Sequence, residues 1–386
     1  MNVTFIHSAD WQLGKPYGSV SEVEKRSVLY QERFAVVDRI EALVQQHAAR
    51  FVVLAGDTFD SPSPSKSTVS AGCAAIGRLK VPVFLIPGNH DHGGPLGLWE
   101  QPFFVREREQ LAPNLRVLLT LEPVELDEAV LFPCPLLRRH ESSDLTAWLR
   151  PGHIAFEPFG TKPRVVIAHG SVQGFGLDAD DEEGGGAPNQ IDLSRIDALQ
   201  YDYIALGDWH GTKQVGPKAW YAGTPELDRF PKGADYAGGH TLIVNASRGG
   251  VPSVAAARTA RIGWHALEHA FLAEAAVDDL AQQLDQLLGN RVGSDLLRLE
   301  LTGSLGLDMM HRLEQLLDSW KSRLVRVKLT NRVTMAATAD DIQALTTRSQ
   351  DPIIARVASL LAGSLNDPLK KSVARVALQE LHAATC

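Results

Sequence analysis

The stretch Phe51-Val52-Val53-Leu54-Ala55-Gly56-Asp57 decides the fold. A short apolar run closed by glycine and then aspartate reads as a buried strand that delivers a carboxylate at its end. The pattern recurs along the chain. Val3-Thr4-Phe5-Ile6 leads to Asp10-Trp11-Gln12, and Val83-Phe84-Leu85-Ile86 leads to Gly88-Asn89-His90-Asp91. Val165-Val166-Ile167 leads to His169-Gly170, and Tyr203-Ile204-Ala205-Leu206 to Gly207-Asp208-Trp209-His210. Loops at strand ends are where sheet enzymes collect their ligands. Carboxylate, amide oxygen and imidazole gathered there suit Mn²⁺, Mg²⁺, Fe or Zn²⁺, not a thiolate site. Asp57 leaves its strand after a glycine and can expose both oxygens, as a carboxylate bridging two cations roughly 3.5–4 Å apart must. Singly, such clusters occur in ordinary turns, where aspartates cap helices and histidines sit as satisfied core groups. In this order and at strand ends, the set reads as a two-metal phosphoester hydrolase.

Residues 31–47 show helical spacing at Phe34, Val37, Ile40 and Val44, and residues 67–79 read as a second helix. After Pro95 come short extended pieces at residues 116–119, 123–126 and 130–132, and later at 220–222 and 240–244. This predicts an α/β fold, a two-sheet sandwich flanked by helices, over residues 1–261. Residues 176–190, rich in glycine and acid, read as a flexible loop ahead of a helix near residues 193–199. Residues 262–350 read as a small α/β unit, with strands at 297–301 and 325–330 around a helix at 307–320. Met310, Leu313, Leu316 and Leu317 lie on one side of that helix. Residues 351–386 read as two C-terminal helices, 352–365 and 368–381, each opened by an Asp-Pro pair.

Composition narrows the class. With 386 residues, 44% hydrophobic and 22% charged, the chain has room for a main domain and smaller units of ordinary soluble type. No signal segment or bilayer-length apolar run is present, so a cytoplasmic location without membrane contact is expected. Cys73, Cys134 and Cys386 have no metal spacing, which implies neither a disulfide framework nor a zinc finger. A net charge of −8 argues mildly against casual nucleic-acid binding. Part of that charge belongs to the candidate metal ligands and part to the acidic run at residues 178–183. Lys321, Arg323, Arg326, Lys328 and Arg332 are the candidate DNA contacts, if they lie on a strand entering a cleft; otherwise they form a solvated face.

The five clusters resemble the calcineurin-like metallophosphoesterase signature. With His7-Ser8-Ala9-Asp10-Trp11-Gln12-Leu13-Gly14 and Gly223-Thr224-Pro225-Glu226 they resemble its SbcD-type DNA repair nuclease branch. The resemblance implies one divalent ion on Asp10, Gln12, Asp57 and His210, and another on Asp57, Asn89, His169 and Asp208. It makes His90 the catalytic imidazole outside the metal shell, with Asp91 either orienting it or forming the turn. It further implies DNA as substrate, a small α/β cap at residues 262–350 that engages it, and an SMC-like ATPase of the SbcC type grasped through the C-terminal helices; a homodimer is left open. Two positions depart from the pattern. Gln12 stands where the family has histidine in D-x-H, and Asp208 where it has the first histidine of G-H-x-H. A neutral amide and a third carboxylate favour Mn²⁺ or Mg²⁺ over Zn²⁺, with Fe also open. The extra negative charge makes a bound water harder to deprotonate. The expected chemistry is in-line attack of water on phosphorus, with His90 donating a proton to the leaving oxygen or steadying phosphoryl charge. His7 is expected either to touch substrate or to hydrogen-bond locally. Three functions compete: a Mn²⁺-dependent DNA exonuclease or endonuclease, a phosphoesterase for small phosphodiesters, nucleotides or phosphoproteins, and a weakly active metal-bound scaffold subunit.

Overall fold

The motif strands take their places in two parallel-cored sheets. A computed structural model describes residues 1–172, 189–231, 236–271, 277–337 and 339–385. Most of the glycine-rich acidic loop, and Cys386, lie outside the described residues. The described chain divides into two units, Met1–Ile262 and Gly263–Cys386.

The first unit contains β1 (Asn2–Ser8), β2 (Val52–Ala55), β3 (Val83–Ile86), β4 (Leu115–Val117), β5 (Val124–Glu125), β6 (Val130–Cys134) and β7 (Arg164–His169). Then follow β8 (Ser171–Val172), β9 (Gln190–Ile191), β10 (Tyr203–Gly207), β11 (Lys213–Gln214), β12 (Ala219–Tyr221), β13 (His240–Ser247) and β14 (Ser253–Arg258). Its helices are α1 (Val23–Gln46), α2 (Lys66–Arg78) and α3 (Pro102–Leu111). One sheet runs β14-β13-β1-β2-β3-β4 and the other β11-β12-β10-β7-β6-β5. β1 to β4 are mutually parallel, as are β6, β7, β10 and β12. All five motif loops therefore leave from strand C-terminal ends, the side on which open α/β sheets bind ligands.

Alternation along each strand serves two cores. Phe5, Val53, Phe84 and Ile86 face Leu131, Val165, Ile167, Tyr203 and Ala205 between the sheets. Ile6, Val52, Leu54 and Leu85 face Val37, Ile40 and Val44 of α1 and Cys73 and Ile76 of α2. Burial on both faces is why the sequence shows unbroken apolar runs instead of alternation. Each fully buried aliphatic or aromatic side chain contributes about 1.5–3 kcal/mol.

Several elements differ from the sequence reading. Among the described residues α-helices cover only the first sheet. The outer face of the second is closed by aromatics, where Phe132 meets Trp148, Phe156, Phe159 and Tyr201. The helix expected near residues 193–199 is a single 3₁₀ turn, Leu193–Arg195, capped by Asp192 and ended by extended Ile196. α1 starts at Val23, earlier than its apolar spacing showed, because Glu24, Lys25 and Arg26 fill its first turns.

The second unit contains β15 (Trp264–Phe271), α4 (Val277–Leu288), β16 (Leu296–Leu305), α5 (Leu307–Arg323), β17 (Arg326–Asn331) and β18 (Thr334–Met335). β15, β17 and β18 all pair parallel to β16. The expected strand–helix–strand unit is thus extended by β15 and α4, which the sequence reading did not find. Leu280 and Leu284 of α4 pack with Leu313, Leu317 and Trp320 of α5 and with Leu297, Leu299 and Leu301. α6 (Ala339–Thr346), α7 (Pro352–Ser364) and α8 (Lys371–Thr385) enclose a small core of Leu345, Ala358 and Leu378. Asp351 caps α7 by accepting from the Ile354 N–H. At the second Asp-Pro pair, Asp367 instead accepts from the Leu369 N–H in a turn, and the helix proper begins at Lys371. No helix among the described residues is long and apolar enough to cross a membrane.

Candidate metal centre

The motif loops are held in strained backbone. Asp10 (φ 54°), Gln12 (φ 44°), Asp57 (φ 54°) and Asp208 (φ 103°) all lie at positive φ. Such conformations cost non-glycine residues about 1–3 kcal/mol each and persist where surrounding structure enforces them. Here the enforcement is visible. Asp10 N donates to Gly56 O at 3.1 Å, Gln12 N to Asp57 O at 2.9 Å and Leu13 N to Thr58 O at 2.8 Å, zipping the first loop to the second. Two glycines make room for the candidate ligand side chains. A Cβ on Gly56 (φ 90°) would strike the His169 ring, and one on Gly88 would strike the Asp57 carboxylate.

Asp10, Asp57 and His169 are buried, with one donor atom from each lying within 4.8 Å of the others. The Ala55 carbonyl, which can only accept, sits 2.8 Å from His169 Nδ1 and assigns the proton there. His169 Nε2 is left facing Asn89 Oδ1 at 2.9 Å, Asp57 Oδ1 at 3.5 Å and Asp208 Oδ1 at 3.8 Å. His210 is oriented in the same way, its Nδ1 lying 3.0 Å from Asp228 Oδ2. Metal-binding imidazoles are normally fixed like this, through the nitrogen that does not ligate. Asp208 is steadied by Ser171 Oγ, which donates to its Oδ2 at 2.9 Å, and its own N–H donates to Asp10 Oδ1 at 3.1 Å.

The electrostatics agree with that donor set. Burial, and then the nearby carboxylates, push Asp10 well above its ordinary pKa, and burial likewise raises Asp208. Burial alone would lower His169, but Asp57, Asp10 and Asp208 together outweigh it and raise the imidazole to about 9. Crowded carboxylates that raise one another's affinity for protons mark a place where positive charge is wanted. Oxygen-rich and imidazole donors of this kind fit hard or borderline divalent cations.

His90 stands at the edge of this cluster. Its N–H donates to Asp57 Oδ1 at 2.9 Å, and its Nδ1 lies 2.9 Å from the Asp60 carbonyl oxygen. Nε2 is thus free of the backbone, 4.0 Å from Asp57 Oδ2 on a side chain 36% exposed. Of the two roles open to Asp91, orienting His90 or forming the turn, the structure shows the second. Asp91 accepts from Gly88 N at 2.7 Å and Phe59 N at 3.0 Å, so both oxygens serve the loop and the orienting acceptor is Asp60 O. Burial and the charge of Asp57 push Asp91 up to about 7. His7 neither faces the cluster nor bonds locally. It bridges the sheets, with Nδ1 2.9 Å from Tyr203 Oη and Nε2 3.2 Å from Leu206 O.

The candidate DNA contacts do not form one row. Lys321 and Arg323 lie in the last turn of α5, where Lys321 pairs with Asp318 at 3.3 Å and Arg323 stacks over Trp320. Arg326 and Lys328 alternate on β17, on the face opposite Val327 and Leu329, which pack into the core. Lys328 is in register with Arg298 of β16. Arg332 follows β17 and is exposed.

Two residues were missed in the sequence. Arg33, buried on α1, donates to Tyr17 Oη at 2.6 Å, Trp11 O at 2.7 Å, Thr224 Oγ1 at 3.1 Å and Glu226 O at 3.2 Å. It ties the first motif loop to the Gly223–Glu226 stretch; its only sequence signal is a charge among the apolar positions of the helix. Lys15 Nζ donates to Gln12 Oε1 at 2.5 Å and pairs with Asp228 at 3.1 Å and Asp60 at 3.7 Å.

Several solved structures are similar to this chain at low identity. A dimetal phosphatase from Danio rerio matches 65% of this chain and 98% of its own, at 13% identity and a TM-score of 0.36. TT1561 of Thermus thermophilus matches over 58% and 90%, at 11% identity and a TM-score of 0.36. GAP50, the anchor in the inner membrane complex of Plasmodium, matches over 67% and 91%, at 10% identity and a TM-score of 0.33. The calcineurin-like phosphoesterase profile matches residues 3–243, a span that takes in every motif loop from Asp10 to His210. The chain therefore belongs to the calcineurin-like phosphoesterases, a family of metal-dependent phosphoester hydrolases.

Proposed function

We propose that this protein hydrolyses phosphodiesters in DNA, as an exonuclease or endonuclease subunit of a repair complex. The observation that carries the reading is the placement of His90: its ring hangs from a backbone carbonyl beside the buried carboxylate cluster, with Nε2 directed away from that anchor. An imidazole so placed can give a proton to a departing oxygen without being used as a ligand. Asp10, Gln12, Asp57 and His210 would hold one divalent cation, and Asp57, Asn89, His169 and Asp208 the other. When bound, the two cations, preferably Mn²⁺, supply positive charge to the phosphoryl oxygens and acidify the attacking water. The protein's part is to fix those donors through Ala55 O, Asp228 and Ser171 and to exclude water from the cluster floor.

DNA as the substrate is supported by the flanking motifs at residues 7–14 and 223–226 and by Arg298, Arg326 and Lys328 sharing one face of the second unit's sheet. On α7 Ile353, Val357 and Leu360 recur at helical spacing and are exposed at 76%, 40% and 60%. Together with Leu369 and Val373, which are also exposed, they would supply apolar contacts for an SMC-like ATPase of the SbcC type. A second reading, a metal-bound subunit with weak turnover, is favoured by the hydrogen bond that Lys15 makes to Gln12. Cleavage of end-labelled DNA with added Mn²⁺, run beside a nitrophenyl phosphodiester, separates the readings. DNA cleavage that falls steeply with salt supports the nuclease. Hydrolysis of the small diester alone refutes it, and metal uptake without turnover on either substrate selects the second reading.

A further inference from the structure

We infer that Lys15 makes the two cation positions unequal, so that this chain holds one divalent ion tightly and a second only weakly. The inference rests on the two ligand sets of the proposed function, but not on the identity of the substrate.

The position formed by Asp57, Asn89, His169 and Asp208 has a pre-oriented imidazole, an amide oxygen and two carboxylates. Ser171 and Ala55 O support it from outside, and neither carries positive charge. The position formed by Asp10, Gln12, Asp57 and His210 is different. Its amide oxygen, Gln12 Oε1, already accepts from the Lys15 ammonium at 2.5 Å. The carboxylate that orients His210 is shared with the same ammonium, 3.1 Å away, and with Arg229 Nε at 3.3 Å. Asp228 therefore divides its charge between His210, 3.0 Å away, and two neighbouring cations, which weakens its support of His210 as a donor.

A divalent ion on Gln12 Oε1, at a bond length of about 2.1 Å, would lie within roughly 4–5 Å of the ammonium. Like charges at that separation in a partly buried site repel strongly, a penalty on the order of 100-fold in affinity or more. An imidazole at residue 12, with no second lone pair for a lysine to hold, would not recruit the ammonium in this way. The substitution of glutamine and the presence of Lys15 three residues later thus act as a pair. Lys15 supplies a fixed positive charge at the side of the centre where the family places a second metal ion.

The test is a Mn²⁺ titration of the chelator-stripped full chain, with free Mn²⁺ read by its six-line paramagnetic resonance signal and bound metal counted by mass spectrometry after gel filtration. One tightly retained ion per chain is expected, with a second binding about 100-fold more weakly. Lys15→Met should tighten the second event about 100-fold and produce a spin-coupled pair signal, while the first event stays in place. Lys15→Arg, which keeps the charge, should leave the second event weak. Two ions of equal affinity in the unaltered chain would overturn the inference even if Lys15→Met failed to fold. So would a second event unmoved in folded Lys15→Met, or no Mn²⁺ uptake at all. Failure to cleave DNA would refute the proposed substrate and leave these affinities untouched.

Discussion

His7→Phe should flatten the dependence of stability on pH between pH 7 and pH 5. His7 is buried between the sheets and joins the end of β1 to the end of β10, the strands that deliver Asp10 and Asp208. Leu206 O can only accept, so Nε2 carries the proton and Nδ1 accepts from the Tyr203 hydroxyl. The neutral ring is fully satisfied, and a second proton would bring an unpaired charge into the core. Burial accordingly lowers its pKa from 6.5 to about 3, against a smaller opposing effect of the Leu206 carbonyl. A depressed folded-state pKa means that the unfolded chain binds the proton first. The contribution is fully present above pH 6.5 and is lost as the pH falls toward 3. At pH 5 the loss is about 2 kcal/mol, growing to about 4–5 kcal/mol near pH 3. His7→Phe keeps the ring and forfeits two hydrogen bonds, costing about 1–3 kcal/mol at pH 7. Urea unfolding of the first unit within the full chain at pH 7, 6 and 5, with chelator present, measures the gap between the two proteins. Carboxylate titration is common to both and cancels. The gap should shrink by about 2 kcal/mol by pH 5. A gap that stays constant over that range would refute the account of His7 as a neutral buried bridge.

Three further outcomes are expected. His90→Ala should lower phosphodiester cleavage about 100- to 10,000-fold while leaving the Mn²⁺ count of the wild-type chain unchanged; near-normal turnover removes His90 from the chemistry. Mn²⁺ should support the highest turnover and Zn²⁺ the lowest, because Gln12 and Asp208 shift the donor set toward oxygen; a metal series with Zn²⁺ on top would contradict the charge argument. Arg33→Met should cost about 3–5 kcal/mol of stability and weaken Mn²⁺ binding, since it strands the acceptors that the guanidinium now joins; a melting curve and metal titration matching the wild type would show that the first loop holds its own conformation.

The two-sheet core was legible because burial on both faces writes a strand as an uninterrupted apolar run, and the polar clusters then fall at the ends. Elements whose signal is mixed were not. β15, Trp264-His265-Ala266-Leu267-Glu268-His269-Ala270-Phe271, interleaves polar and apolar residues as a strand with only one face in the core does. Within the centre, residue types announced donors but could not announce what orients them. Asp60 holds His90 through a carbonyl oxygen, which every residue possesses, whereas the conspicuous carboxylate of Asp91 is spent on backbone N–H groups. His7 finds its partner 196 residues away, a distance no local pattern encodes. Lys15 was silent for a similar reason, because its meaning depends on where Gln12 and Asp228 come to lie.

Backbone strain supplies an independent reason to read the motif positions as functional. Glycine would occupy the conformations of Asp10, Gln12, Asp57 and Asp208 without penalty, and glycine is in fact used beside them, at Gly56 and Gly207. Asp57 is preceded by Gly56 and packed against Gly88, so small residues were accommodated on either side of it but not at it. Positive φ at Tyr17, Ala48, Lys80, Leu96 and Asn189 is scattered singly along the rest of the described chain. Here four such positions, on three different loops, carry oxygen-bearing side chains, and Asp10, Asp57 and Asp208 crowd about His169. Strain gathered where side-chain oxygens converge is a cost of holding those oxygens together. The strain at Gln12 has the same origin, with one difference: its oxygen is turned to Lys15, so this loop holds a charge of its own beside the centre.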